Sequence, residues 1–145
     1  VERLSRHEWG LRLAEVTALR GTCARRKVGA VAVDDLGRVL ATGYNGPPRG
    51  FPHCTDHYCN GVPFTSGTGL DHCEAIHAEQ NLIASCRDIN AIRTIYLTVS
   101  PCASCMKLLL GTLCDTLVFR ESYPGSPLWM WEAAGRVFYL LKTTV

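Results

Sequence analysis

No stretch of this 145-residue chain approaches the roughly 18 consecutive apolar residues of a membrane-spanning helix, so no membrane association is expected. An excess of one charge is missing as well. Fifteen Lys and Arg stand against 13 Asp and Glu, a formal net charge of +2 that argues neither for nor against a nucleic-acid partner. There are no internal repeats and no sign of a second domain, so one domain is expected over residues 1–145. A chain of this size buries roughly 68–70% of its unfolded surface, enough for a true core. Residues 1–20 carry charges throughout and do not read as a secretory signal. With no such signal visible, the eight cysteines point to metal binding in a reducing cytosol rather than to a disulfide framework.

What the chain does contain is organised around His77-Ala78-Glu79 and Pro101-Cys102-Ala103-Ser104-Cys105. Together these segments supply one imidazole, one carboxylate and two thiols. Zinc favours nitrogen and sulfur ligands in a tetrahedral array, and a catalytic zinc keeps one position open for water. His77, Cys102 and Cys105 fill three positions, which leaves Glu79 as a base rather than a ligand. Cys102 and Cys105 share a helix face at a spacing of i and i+3, and Pro101 suits a first helical turn. His77 and Glu79 are two residues apart and can serve one metal only at a helix start. The expected arrangement is two helix N-termini meeting at the zinc, their dipoles favouring thiolates and hydroxide. The competing reading is a purely structural zinc site in a non-catalytic interaction module.

Around these motifs, an amphipathic helix is predicted over residues 4–20, with Leu4, Trp9, Leu11, Leu13, Val16 and Leu19 as its apolar positions. Strands are predicted at 28–33 and 38–44, joined by an Asp34-Asp35-Leu36-Gly37 turn. A long loop is predicted over residues 45–73, a length usually functional or tied down. A helix over 75–87, strand 94–99, helix 103–111, strand 116–119, helix 127–134 and strand 136–141 complete the series. This order implies an α/β protein: a central mixed five-stranded sheet with helices on both faces, a three-layer α/β/α fold.

A second set of soft ligands lies upstream: Cys23, His53, Cys54, His57, Cys59, His72 and Cys73. Their surplus predicts a second, structural zinc that clamps the long loop. Cys86 and Cys114 read as core packing. Arg25-Arg26-Lys27 is either a solvated charge cluster or a phosphate clamp, since arginine forks match phosphate oxygens. Ser100 stands beside the metal motif, at a strand end from which it could touch a bound base.

The pattern His-x-Glu…Pro-Cys-x-x-Cys resembles the cytidine and deoxycytidylate deaminase superfamily, and within it the deoxycytidylate deaminases of phage and bacterial type. The resemblance covers most of residues 5–140 and includes the order of elements. It implies zinc-dependent hydrolytic deamination of dCMP to dUMP and ammonia, with Glu79 as proton shuttle and the backbone near Ala78 and Ser100 holding the base. For the second zinc it implies Cys23 and Cys54, with His72 and Cys73 completing the set and Cys59 competing. It assigns Asn45 to the nucleotide sugar and Tyr123 to the surroundings of the phosphate, where Lys27 and Arg26 would join it. It also implies a hexamer controlled by dCTP and dTTP, bound with Mg²⁺ beside Gly43, Tyr44, Gly46 and Arg49. A cytoplasmic enzyme is expected, in the host cytoplasm if viral, with no nucleic-acid partner. A tRNA adenosine deaminase and a free cytidine or riboflavin-pathway deaminase share the zinc motifs and stay open as alternatives.

Overall fold

A computed structural model describes residues 2–23, 26–53 and 74–143. Its centre is a five-stranded sheet in the order β2-β1-β3-β4-β5. The strands are β1 (Gly29–Val33), β2 (Val39–Tyr44), β3 (Thr94–Val99), β4 (Thr116–Glu121) and β5 (Val137–Leu140). β1 is antiparallel to both β2 and β3, whereas β3, β4 and β5 run parallel. Helix α1 (Arg6–Ala18) precedes the sheet; α2 (Ala78–Ser85), α3 (Ala103–Leu110) and α4 (Leu128–Ala133) connect its later strands. The expected order of elements is the observed one, and the fold is the expected three-layer α/β/α arrangement.

Strand alternation explains the layers. Ala30, Ala32, Ile95, Leu97, Leu117 and Phe119 turn to one face of the sheet and pack with Leu82 of α2, Met106 and Leu109 of α3 and Trp131 of α4. Val31, Val33, Tyr96 and Val118 turn to the other face and pack with Leu11 and Ala14 of α1. The hairpin between β1 and β2 closes on Asp34, whose Oδ1 accepts hydrogen bonds from the backbone N–H groups of Leu36 (2.9 Å) and Arg38 (2.8 Å).

Helix α1 differs from expectation in which side it buries. Gly10, Leu11, Ala14 and Ala18 are its buried positions, whereas Trp9, Val16 and Leu19 are exposed. Close approach is the physical reason. A Cβ at Gly10 would stand 2.4 Å from the Tyr96 ring, and one at Gly29 would stand 2.0 Å from the Ala14 carbonyl oxygen. Glycines on both partners let α1 lie close on the sheet along the face that carries Gly10, Leu11, Ala14 and Ala18, and Trp9, Val16 and Leu19 fall outside it. The helix is also shorter than predicted: Ser5 caps it, accepting from the Glu8 N–H at 3.1 Å.

Helix α2 likewise begins later than predicted. Ile76 is in extended backbone and exchanges two hydrogen bonds with Gly46, at 2.7 and 3.2 Å. That pairing withholds residues 75–76 from the helix and anchors the chain just before His77. At the other end of α3, Arg136 donates to the carbonyls of Leu109, Leu110 and Cys114 while lying over the Trp131 ring. It satisfies acceptors that a helix C-terminus leaves open. Cys86 and Cys114 are buried, as expected of packing residues.

Candidate metal centre

Two helix starts meet where the sequence motifs require. His77 is the N-cap of α2 and Cys102 the N-cap of α3. The His77 N–H donates to Oε1 of Gln80 at 2.8 Å, which fixes the first turn of α2 from within. Pro101 falls one position outside the cap instead of inside the first turn, and its carbonyl accepts from the Ser126 hydroxyl. The two motifs are held to one layer because Gly43 of β2 admits α2: a Cβ there would lie 2.3 Å from the Ala78 carbonyl oxygen.

His77, Cys102 and Cys105 place one donor atom each within 4.8 Å of one another, the group of this kind among the described residues. The imidazole Nδ1 lies 3.2 Å from Sγ of Cys105 and 3.5 Å from Sγ of Cys102. Zinc at about 2.3 Å from sulfur and about 2.0 Å from nitrogen, in tetrahedral geometry, needs N···S separations of about 3.5 Å. The donor set therefore fits zinc in both chemistry and spacing, with Nδ1 as the nitrogen aimed at the thiols.

Electrostatics favour the same use. The Cys102 thiol is held far below its ordinary range, chiefly by its hydrogen bond with Cys105 and also by the His77 imidazole. Cys105 is pushed up by the same hydrogen bond and by burial. A cation between the two sulfurs would favour the thiolate form of both. Glu79 is 5% exposed, and burial pushes its carboxyl up to about 7 against the pull of a backbone hydrogen bond and the His77 charge. A buried carboxyl near neutrality beside a soft-ligand triad can take up and return a proton at physiological pH.

Residues 4–121 match the family model of the cytidine and deoxycytidylate deaminase zinc-binding region. The chain belongs to this deaminase family. It is 37% identical to the deoxycytidylate deaminase of Mycobacterium phage D29 over 127 residues, covering 81% of this chain and 98% of that one. It is 35% identical to ComE operon protein 2 of Bacillus subtilis over 131 residues, covering 88% of this chain and 65% of the relative. It thus spans just under two thirds of the Bacillus protein, and a smaller share of several yeast and animal relatives. The fold is that of the dCMP deaminase from cyanophage S-TIM5 in complex with dCMP and dUMP. The TM-score is 0.74 and the identity 24%, over 97% of this chain and all of that one.

In this family member several other expected site residues have internal tasks. Asn45 is buried; its Oδ1 accepts from the Val28 N–H at 2.8 Å and its Nδ2 donates to the Arg26 carbonyl. Both ends of the amide that the resemblance assigned to a sugar are engaged on the backbone before β1. Ser100 is also buried, its hydroxyl accepting from the Tyr123 N–H at 2.7 Å. It ties the chain after β4 to the metal motif. Gly43 is taken up by helix packing and Gly46 by the bridge to Ile76, while the Tyr44 ring lies 5.8 Å from the Arg20 guanidinium. Lys27 and Arg49 are exposed, and Arg26 forms an ion pair with Glu121.

Cys23 is buried, and its neighbour Thr22 contacts His53 Nδ1 at 3.2 Å. Cys54, Cys59, His72 and Cys73, the other ligands expected for a second zinc, lie outside the described residues, as does Arg25. Gln80 was missed in the sequence, although a Gln three positions after a helix cap is a legible capping signal. Arg120 was missed with no local signal to find it: it is 6% exposed and paired with Glu8 and Glu15 of α1.

Proposed function

We propose that this chain is a deoxycytidylate deaminase domain that converts dCMP to dUMP and ammonia. The observation that carries the reading is the placement of Glu79, a buried carboxyl beside the His77, Cys102 and Cys105 donor atoms. Zinc, when bound, supplies Lewis-acid activation of a water near neutral pH. His77, Cys102 and Cys105 hold the ion, and Glu79 moves the protons. It accepts a proton from the attacking water and delivers it to N3 of the base, then carries the second proton from the new C4 hydroxyl to the amine, which leaves as ammonia. The α2 and α3 N-termini add positive potential to the site.

The choice of a nucleoside monophosphate is supported by the names of the relatives and by the cations on the segment before β1, where Arg26 and Lys27 take the phosphate with Tyr123 nearby. A structural zinc on Cys23, Cys54, His72 and Cys73 accompanies the catalytic one. The exposed Val16 and Leu19 of α1 are consistent with burial between subunits of a hexamer. dCTP with Mg²⁺ activates and dTTP inhibits at a separate site that includes Arg49.

The test is ammonia release with dCMP, CMP, cytidine and an adenosine-containing RNA side by side. dCMP is expected to react with the highest kcat/KM. Preferred turnover of the RNA or of free cytidine would overturn the assignment.

A further inference from the structure

The ion pair between Arg26 and Glu121 joins residues 95 positions apart at the end of the sheet that carries the metal motif. Glu121 ends β4 opposite Val99 of the parallel β3, and its carbonyl accepts from the Ser100 N–H at 2.9 Å, two residues before Cys102. Arg26 comes from the other side, on the segment leading into β1. The Asn45 side chain clasps this segment at the Arg26 carbonyl and the Val28 N–H. The backbone carrying Arg26 is therefore fixed, while its side chain reaches over the C-terminal ends of parallel strands, where ligands of α/β sheets bind.

We propose that Glu121 is a built-in competitor for the substrate phosphate. It occupies Arg26 in the free enzyme and gives it up when a nucleoside monophosphate binds. This rests on the reading of Arg26 as a phosphate contact. The Arg26 and Glu121 side chains are 36% and 65% exposed, so the pair is a weak, screened one that a phosphate can replace. A guanidinium fork matches phosphate oxygens at least as well as carboxylate. A carboxylate left beside the bound phosphate would repel it, so Glu121 has to swing into solvent, which its exposure allows. A nucleoside without phosphate makes no such demand. Glu121 thus sets how much of the phosphate's attraction appears as substrate preference.

The test compares wild type, Glu121→Gln, Arg26→Gln and the double variant. Inorganic phosphate affinity is measured by calorimetry, and kcat/KM is measured for dCMP and for deoxycytidine. Glu121→Gln is expected to tighten phosphate binding and raise the preference for dCMP over deoxycytidine, each about two- to fivefold. In the Arg26→Gln background the same change is expected to have no effect on either quantity. Weaker phosphate binding in Glu121→Gln would show that Glu121 merely positions Arg26 and would overturn the proposal. An unchanged affinity, or an equal gain without Arg26, would overturn it too. Failure of the wild type to deaminate any cytosine nucleotide would defeat the functional reading, and the phosphate series would still decide the competition between Glu121 and phosphate.

Discussion

Arg120 on β4 grips Glu8 on α1 with two parallel hydrogen bonds, Nη1 to Oε2 at 3.0 Å and Nη2 to Oε1 at 2.8 Å. The same guanidinium donates to Glu15 and to the Leu141 carbonyl, so one buried cation joins α1, β4 and the chain after β5. Arg120→Ala leaves two carboxylates facing each other over a gap. It is expected to destabilise the fold by ~3 kcal/mol in urea or thermal unfolding.

The pair also makes stability depend on pH. The Arg120 hydrogen bonds hold the Glu8 carboxyl at about 2, against an ordinary 4.5. A depressed carboxylate stabilises the fold fully above the higher value, and the effect disappears as pH falls through 4.5 towards 2. The difference corresponds to at most ~3 kcal/mol, and partial solvent access of Glu8 reduces it to ~2 kcal/mol. Unfolding followed from pH 6 down to about pH 3 should show this loss in the wild type, and a flatter profile in Glu8→Gln.

Glu79→Gln should keep zinc and nucleotide binding while lowering kcat by at least ~10²–10⁴-fold, because the amide cannot carry the proton. His77→Ala should instead lose metal, since it removes one of three donors. Atomic absorption together with turnover separates the two, and near wild-type turnover in Glu79→Gln would defeat the proposed proton shuttle.

Two zinc ions per chain are expected by metal analysis. Cys23→Ser should lower the count to one and reduce thermal stability more than it alters chemistry at the other zinc. A count of one in carefully prepared wild type would remove the structural zinc from the proposal.

Gly43→Ala tests how the metal motifs are brought together. The added carbon would meet the Ala78 carbonyl oxygen at 2.3 Å and the Leu82 nitrogen at 2.6 Å, so α2 has to move away from β2. Overpacking of this kind costs ~1–3 kcal/mol. Because α2 carries His77 and Glu79 at its start, zinc affinity and kcat should fall together with the melting temperature. Stability lost with metal affinity and kcat intact would show that the N-terminus of α2 tolerates the shift.

Control by triphosphates predicts sigmoidal dCMP kinetics that become hyperbolic with dCTP and Mg²⁺, and inhibition by dTTP. An effector shifts the balance only if it binds one conformation better. Arg49→Ala should raise the dCTP concentration needed without altering hyperbolic kcat. Rates indifferent to both triphosphates would remove the regulatory site and leave the deaminase reading in place.

The donors of the metal centre were legible in the sequence because each of the two motifs is local, whereas their meeting depends on how α2 and α3 pack. Spacing within each motif, together with a helix start at His77 and another at Cys102, determines which atoms can converge on one ion. The order of helices and strands was legible for a related reason, since alternation and helical period reflect burial of neighbouring residues. Tertiary structure decided what depends on distant partners. α1 turns Gly10 to the sheet because the Tyr96 ring leaves no room for a side chain there, and Leu11, Ala14 and Ala18 share that buried face. Asn45 is occupied by the Arg26 and Val28 backbone, an internal task set by partners 19 and 17 positions away. Arg120 meets Glu8 across 112 positions of sequence. No periodicity along the chain encodes such a meeting; it follows from the sheet order and from the depth at which α1 lies on β1, β3 and β4.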